Sequence, residues 1–305
     1  MGQKDADDKI MSLKEAIRRY VSDGNTITLG GFCGRNAQAA AYEIIRQRKR
    51  NLIFVDDSPT DQLDMLIGSG CIDKVEIAWH GGLITLPPNF RRAVEQEIPK
   101  RIEIEDYSNF AMSLRFLAGA LDIPFMPVKS LLGSDIPRYN KKIKIVKDPY
   151  SKEPLALVPA ARPDVAIIHV QRADKKGNSQ IWGGLGNDEN KARASKHTII
   201  TCEEIVPEEE IRRIPNMTII PFYCVDAVVE VPYGSHPWFC FGYYYGDLPF
   251  RIKYFVSSRT YDGFTKWINE WILGCENHFE YCNKLGWERL YKLSRMERLI
   301  AKIPI

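Results

Sequence analysis

Four short stretches of this chain carry residue types that can hold a ligand: Gly30-Gly31-Phe32 with Arg35 just behind, Asp57-Ser58, Trp79-His80, and Tyr107-Ser108-Asn109. The two glycines lack Cβ, so backbone can approach another group closely there or take a positive φ. The Arg35 guanidinium suits a carboxylate, which it can meet through parallel N–H donors. A solvent-facing arginine at a helix start is the plain alternative. Trp79 offers an apolar wall and His80 an imidazole; a packed indole and a surface histidine are the alternative. Tyr107, Ser108 and Asn109 offer polar groups to a carbonyl oxygen, although Ser108 also suits a helix N-cap.

Each stretch follows a run that reads as a strand: Thr26 to Leu29, Leu52 to Val55, Lys74 to Ala78 and Arg101 to Glu105. Helical patterns follow in turn over Ala37 to Arg48, Asp61 to Ile67, Asn89 to Glu97 and Phe110 to Leu121. A first helix opens on the capping box Ser12-Leu13-Lys14-Glu15. This alternation predicts an α/β fold, an open and mostly parallel sheet flanked by helices. Such sheets bind ligands outside the carboxyl ends of their strands, often near a helix N-terminus.

Pro137 to Pro154 is irregular and basic and reads as an exposed connector, with contact to cofactor phosphates as the alternative. Strand patterns resume at Leu155 to Val158 and Val165 to Val170, followed by a second Gly-Gly loop, Ile181-Trp182-Gly183-Gly184. A helix is expected over Asn187 to Ser195, and strands over Thr198 to Thr201 and Asp226 to Val231. Residues 1–11 read as a flexible N-terminus and 12–305 as one domain with C-terminal helices from about 260. His169 reads as a core residue, and His236, in a Gly-Ser-His-Pro turn, as a residue that orients a subunit interface. Glu203 and Glu204 are adjacent on a strand, so they face opposite sides and at most one enters a pocket.

Composition narrows the function classes. The 305 residues are 45% hydrophobic and 27% charged, which suits a globular protein with a sizeable core. A net charge of +3, from 42 basic and 39 acidic residues, argues against nucleic acid or an anionic membrane as partner. Seven cysteines, with no C-x-x-C pair, fit a reducing cytoplasm. Met1 to Lys9 has no apolar core, so no leader is expected, and no apolar run reaches the ~20 residues of a membrane span. No pair of histidines or carboxylates has metal-ligand spacing, so no metal site is expected. Gly30-Gly31-Phe32-Cys33-Gly34 lacks the G-x-G-x-x-G spacing of a nicotinamide site.

Nine collinear blocks then carry a family resemblance. They are Gly30-Gly31-Phe32, Asp64-Met65-Leu66-Ile67-Gly68, Glu105-Asp106-Tyr107-Ser108, Pro124-Phe125-Met126-Pro127-Val128, Asp164-Val165-Ala166-Ile167-Ile168-His169, Ile181-Trp182-Gly183-Gly184, Thr201-Cys202-Glu203-Glu204-Ile205, Cys224-Val225-Asp226-Ala227-Val228-Val229 and Pro232-Tyr233-Gly234-Ser235-His236-Pro237. From about Met11 to about Leu290 the chain resembles the α subunits of glutaconate CoA-transferase, within the family I CoA-transferases.

That resemblance implies an acyl-CoA thioester as substrate, a carboxylic acid as acceptor and no permanently bound cofactor. It also implies a β subunit in a heterotetramer or larger assembly. In this family a glutamate attacks the thioester, passes through an anhydride and becomes a CoA thioester itself. That glutamate belongs to the β subunit, and no Ser-Glu-Asn-Gly block occurs here, so no catalytic nucleophile is expected in this chain. The expected wall of the pocket comprises Gly30, Gly31, Phe32, Arg35, Asp57, Ser58, Trp79, His80, Tyr107, Ser108 and Asn109. Asp57-Ser58 and Trp79-His80 depart from the glutaconate enzyme: the bulkier, acidic Asp57-Ser58 argues against the same substrate, and Trp79 suits a larger or more hydrophobic acyl group.

Two further readings keep the fold. Related subunits belong to hydrolases that open steroid-derived rings, or to decarboxylases of a branched glutaconyl-CoA. The place of the steroid-ring hydrolases' catalytic glutamate falls on Asn109, with Glu105 and Asp106 out of register. A CoA-ester-binding protein without activity is the third reading.

Overall fold

The computed structural model describes residues 8–31, 34–81 and 86–300. Strands β1 (Thr26–Leu29), β2 (Leu52–Asp56), β3 (Ile72–Ile77) and β4 (Glu103–Asp106) alternate with helices α1 (Leu13–Tyr20), α2 (Gln38–Arg46), α3 (Asp61–Gly68), α4 (Pro88–Gln96) and α5 (Asn109–Ala120). Then come β5 (Phe125–Val128), α6 (Ile136–Tyr139), β6 (Lys144–Lys147), β7 (Pro154–Pro159), β8 (Val165–Ala173) and β9 (Ser179–Gln180). Helix α7 (Asp188–Ala194), β10 (His197–Ile205), α8 (Glu208–Arg213), β11 (Thr218–Ile220) and β12 (Ala227–Glu230) complete the sheet region. Helices α9 (Leu248–Ser257), α10 (Tyr261–Ile268), α11 (His278–Leu285) and α12 (Trp287–Ile300) close the chain.

Seven parallel strands lie in the order β12-β10-β8-β1-β2-β3-β4. β8 is the hinge of this arrangement. Its whole length pairs with β10 on one side, while Val165 to Ile167 pair with β1 on the other. Beyond β1, Arg172 and Ala173 pair antiparallel with β9, and β9 with β11. Burial on both faces explains why β8 begins Val-Ala-Ile-Ile-His-Val, an almost unbroken apolar run. Alternate residues serve different cores: Val165 and Ile167 join the cluster under α1, α2, α3 and the C-terminal helices. Ala166, Ile168 and Val170 join the cluster on the opposite face, with Ala192 of α7.

Several expectations are altered by the structure. Pro137 to Pro154 is not simply a connector, because β6 lies within it and pairs with β7, which also pairs with β5. These strands form a separate antiparallel sheet, so the Leu155 to Val158 run does not extend the parallel one. The C-terminal helices begin at Leu248, where Asp247 caps α9 by accepting from the Phe250 N–H. Lys9 to Met11 run beside β12, with Met11 N–H donating to the Val228 carbonyl and Val228 N–H to that of Lys9. No helix among the described residues is long and apolar enough to cross a membrane.

Candidate functional site

β1 to β4 run parallel in one sheet, so the loops after them share one sheet edge. The order reverses at β1, which has β2 on one side and β8 on the other, and this is the switch point where open sheets form a crevice. In this molecule side chains from the second half of the chain fill it.

Gly30 sits at its base. Its N–H donates to the Ile167 carbonyl at 2.8 Å, and a Cβ there would lie 2.9 Å from Ile168 Cγ2 and 3.0 Å from Asp188 Oδ1. Gly31, at φ +96°, donates its N–H to Asp188 Oδ1 at 3.0 Å. Both glycine amides are therefore engaged inside the chain. Phe32 lies outside the described residues. Arg35 is 3% exposed, and its fork donates to Asp188 Oδ2 (2.9 Å), the His169 carbonyl (3.1 Å) and the Gly184 carbonyl (2.5 Å). The guanidinium thus ties the first Gly-Gly loop to β8 and to the second Gly-Gly loop.

Helix α7 also reaches the end of β2. Lys191, 2% exposed, donates to Asp56 Oδ1 (2.6 Å) and to the Leu29 carbonyl (3.2 Å), and its ammonium lies 3.6 Å from Asp57 Oδ1. Asn187 adds an N–H to Asp57 Oδ2 (2.9 Å) and another to Ser113 Oγ (2.9 Å). Burial pushes the Asp56 carboxyl well up. Burial also opposes ionisation of Asp57, but the Lys191 charge and hydrogen bonds outweigh it and hold Asp57 below the usual carboxylate range. Lys191 is likewise raised, because both aspartates overcome the desolvation of its ammonium. Asn187, Asp188 and Lys191 had no site role in the sequence reading; their partners lie 74 to 162 residues away.

Beyond β2 the row becomes accessible. Ser58 Oγ donates to Asn109 Oδ1 at 2.8 Å, bridging the loops after β2 and β4 over the end of β3. The Asn109 NH2 group is left as the donor end of an exposed side chain. Trp79 is 50% exposed, and its N–H is held by the Asp57 carbonyl at 3.1 Å. His80 Nδ1 lies 3.0 Å from the Pro59 carbonyl, which fixes the proton on Nδ1 and leaves Nε2 as an acceptor. Burial lowers its pKa to about 4, so the ring is neutral at pH 7. Ser108 caps α5, accepting from the Ala111 N–H at 3.2 Å. Tyr107 turns inward: its ring is 1% exposed, stacks under the Arg115 guanidinium at 4.0 Å and donates its hydroxyl to Glu105.

His236 lies inside the chain rather than at an interface, bonded to Asp247 (3.1 Å) and Tyr281 (2.7 Å), because the C-terminal helices cover it. Among the described residues, His169, Glu203 and Cys240 bring ligand-type atoms within 4.8 Å of one another. Both ring nitrogens of His169 are hydrogen-bonded, to Thr201 and Glu203, and both Glu203 oxygens accept further protein donors. Burial pushes the Cys240 thiol far up, and the polar atoms of His169 and Glu203 find hydrogen-bond partners within the chain. A cleft of about 460 Å³ beside β4 is lined by residues that include Lys74, Glu105, Asp106, Asn140 and Lys142, and Lys74 and Lys142 both pair with Glu105.

Residues 10–231 match the model of the family described as Coenzyme A transferase. The chain is 39% identical over 280 residues to the A subunit of 3-oxoadipate CoA-transferase from Pseudomonas knackmussii, covering 91% of this chain and 98% of that one. It is 38% identical over 304 residues to the A subunit of glutaconate CoA-transferase from Acidaminococcus fermentans, covering 93% and 94%. The crystal structure of that organism's glutaconate coenzyme A-transferase superposes with a TM-score of 0.89 over 93% of this chain and 95% of that one. An uncharacterised protein of Archaeoglobus fulgidus is 42% identical over 296 residues, 96% of this chain; the chain spans 66% of its length. A cholesterol ring-cleaving hydrolase IpdA subunit of Rhodococcus jostii is more distant, at 27% over 288 residues, 90% of this chain and 95% of that one. With its sheet, its row of strand-end loops and these likenesses in agreement, the chain belongs to the coenzyme A transferase family.

Proposed function

We propose that this chain is the α subunit of a heteromeric CoA-transferase that moves CoA between an acyl-CoA and a carboxylic acid, and that the attacking glutamate comes from a β subunit. The observation that carries the reading is how the strand-end carboxylates are used. Asp56, Asp57, Glu105 and Asp188 are each held by a lysine or arginine of this chain. None of these four is a free nucleophile; among the described residues Asp106, at the exposed end of β4, is the strand-end carboxylate without such a partner, and hydroxyl, amide and apolar groups face outward beside them.

In this reading Gly30, Gly31, Ser58, Trp79, His80 and Asn109 form one wall of the pocket, together with Phe32, the next residue in the chain after Gly31, and Ser108 at the helix start. Arg35, Asp57 and Tyr107 brace the wall from behind. The partner's carboxylate adds to the thioester carbonyl, whose oxygen takes the charge, and CoA thiolate leaves as the anhydride forms. The thiolate then adds to the glutamyl carbonyl of that anhydride, and the acyl group departs as a free carboxylate. A second acid repeats the sequence in reverse. Both Gly-Gly amides are engaged, so among the described residues the Asn109 NH2 group, oriented by Ser58, is a donor this wall offers to the carbonyl oxygen. The half-exposed Trp79 favours an acyl group with apolar bulk.

The test is to express the chain alone and with its β subunit, supplying acetyl-CoA with a panel of mono- and dicarboxylates. Transfer confined to the pair, with hydroxylamine or borohydride trapping CoA at one glutamate of the partner, is the expected result. Turnover by the single chain, abolished by neutralising one of its own acids, would sink the reading. Ring-opening or decarboxylation without transfer would place the pair with the more distant relatives instead.

A further inference from the structure

Arg35 and Asp188 are both almost fully buried, yet neither serves a hydrophobic core. Arg35 holds a left-handed backbone, φ 51°, without being glycine, a conformation that must be held in place by its surroundings. Its own N–H donates to the Phe239 carbonyl at 2.8 Å, and its fork makes the bonds to Asp188, His169 and Gly184 described above. Asp188 divides its two oxygens between the same guanidinium and the Gly31 amide. One ion pair thus fixes the loop after β1 against β8 and α7, and a carboxylate of the ligand would have to displace Asp188 to reach the arginine.

We propose that Arg35 and Asp188 act as a pair of positioning residues, which set the Gly30–Gly31 backbone for the transfer reaction and do not contact the substrate. For its kinetic arm this rests on the transferase reading above; its structural arm does not. The loop they hold abuts the Lys191–Asp56–Asp57 cluster, so displacement of the loop carries to the end of β2 and to Ser58. An error of about 1 Å in such a wall is enough to cost on the order of a hundredfold in rate.

The experiment uses the assembled αβ complex carrying Arg35→Met, Asp188→Ala, Asp188→Asn or the Arg35→Met/Asp188→Ala double change. Hydrogen exchange is read at residues 30–36, with β10 and α11 as internal references. The single losses should speed exchange in the loop by about tenfold or more and leave the references unchanged. Asp188→Asn, which keeps an acceptor for the Gly31 amide, should recover part of that protection. Turnover is measured per mole of assembled complex with acetyl-CoA as donor and glutarate or butyrate as acceptor. The expected kcat falls about 10- to 100-fold for both acceptors, with KM within about threefold, and the double variant is no worse than the poorer single one. A rise in KM for glutarate alone in Arg35→Met would overturn the proposal, because the guanidinium would then be meeting a substrate carboxylate. Loop exchange unchanged from wild type would overturn it as well, as would variants that melt lower but turn over normally. If the wild-type pair transfers no CoA to any acid, the transferase reading fails and the exchange measurement still decides the positioning role.

Discussion

Lys191 neutralises charge at a place where water cannot. Replacing it with methionine leaves the buried Asp56 and the partly buried Asp57 beside it without a cation, a loss of about 3–5 kcal/mol by analogy with broken buried ion pairs. Adding Asp56→Asn should return much of that loss in a denaturant melt, because a neutral amide no longer needs the ammonium. Asn109→Ala should leave stability within about 0.5 kcal/mol and lower kcat of the assembled enzyme by about a hundredfold, if its NH2 group receives the carbonyl charge. His278 supplies a pH test. Burial lowers its pKa to about 3, from an ordinary value near 6.5, so only the unfolded chain binds the proton between these limits. Stability is complete above about pH 6.5 and falls with acidification, by about 2 kcal/mol at pH 5 from this residue. His80, lowered to about 4, acts in the same direction, while Asp64, raised to about 6 by burial, gains stability on acidification through pH 6 and offsets part of the loss. Thermal melts of His278→Gln should show a shallower decline between pH 6.5 and 5. None of these pairings could be read locally: Arg35 looks like an ordinary helix-start arginine until Asp188, 153 residues later, folds against it.

At the scale of elements, the Ser108 cap connects stability to the site, because α5 begins at Asn109 directly after the β4 loop. Ser108→Ala should cost about 1 kcal/mol and loosen the first turn of α5, which amide exchange at residues 109–112 would report. β1, β2 and β8 were legible because strands buried on both faces need apolar runs, β4 because charge alternates with isoleucine along it, and α1 because its capping box is local. The small β5-β7-β6 sheet was not, since β6 reads Lys-Ile-Val-Lys and its residues are all exposed. Helix α9 was missed for another reason: Leu248-Pro249-Phe250 resembles a loop until Pro249 is recognised in the first turn of a helix capped by Asp247. Helix α7 was expected within a residue at each end, but its length said nothing of what its side chains grip.

The whole molecule leaves an apolar stripe along one helix open to solvent. Helix α5 carries one charge, Arg115, and that residue is buried; Phe110 and Leu121 are each 59% exposed, and Trp79 lies on the loop beside the helix start. If this chain works only in a pair, its melting temperature should rise with added β subunit, by the equivalent of about 2.7 kcal/mol at a hundredfold excess over Kd. A midpoint indifferent to the partner would count against obligate pairing. The pairing of β1 with β8 has a consequence for biosynthesis. Ile27 must wait for Val165, roughly 140 residues downstream, before that edge of its strand is covered. At ribosomal rates of about 5–20 residues per second, the nascent chain exposes an uncovered apolar strand for about 7–30 s. Faster elongation between the two strands, or a holdase bound to the emerging N-terminal half, should therefore raise the soluble yield more than any change made after β8 has left the ribosome.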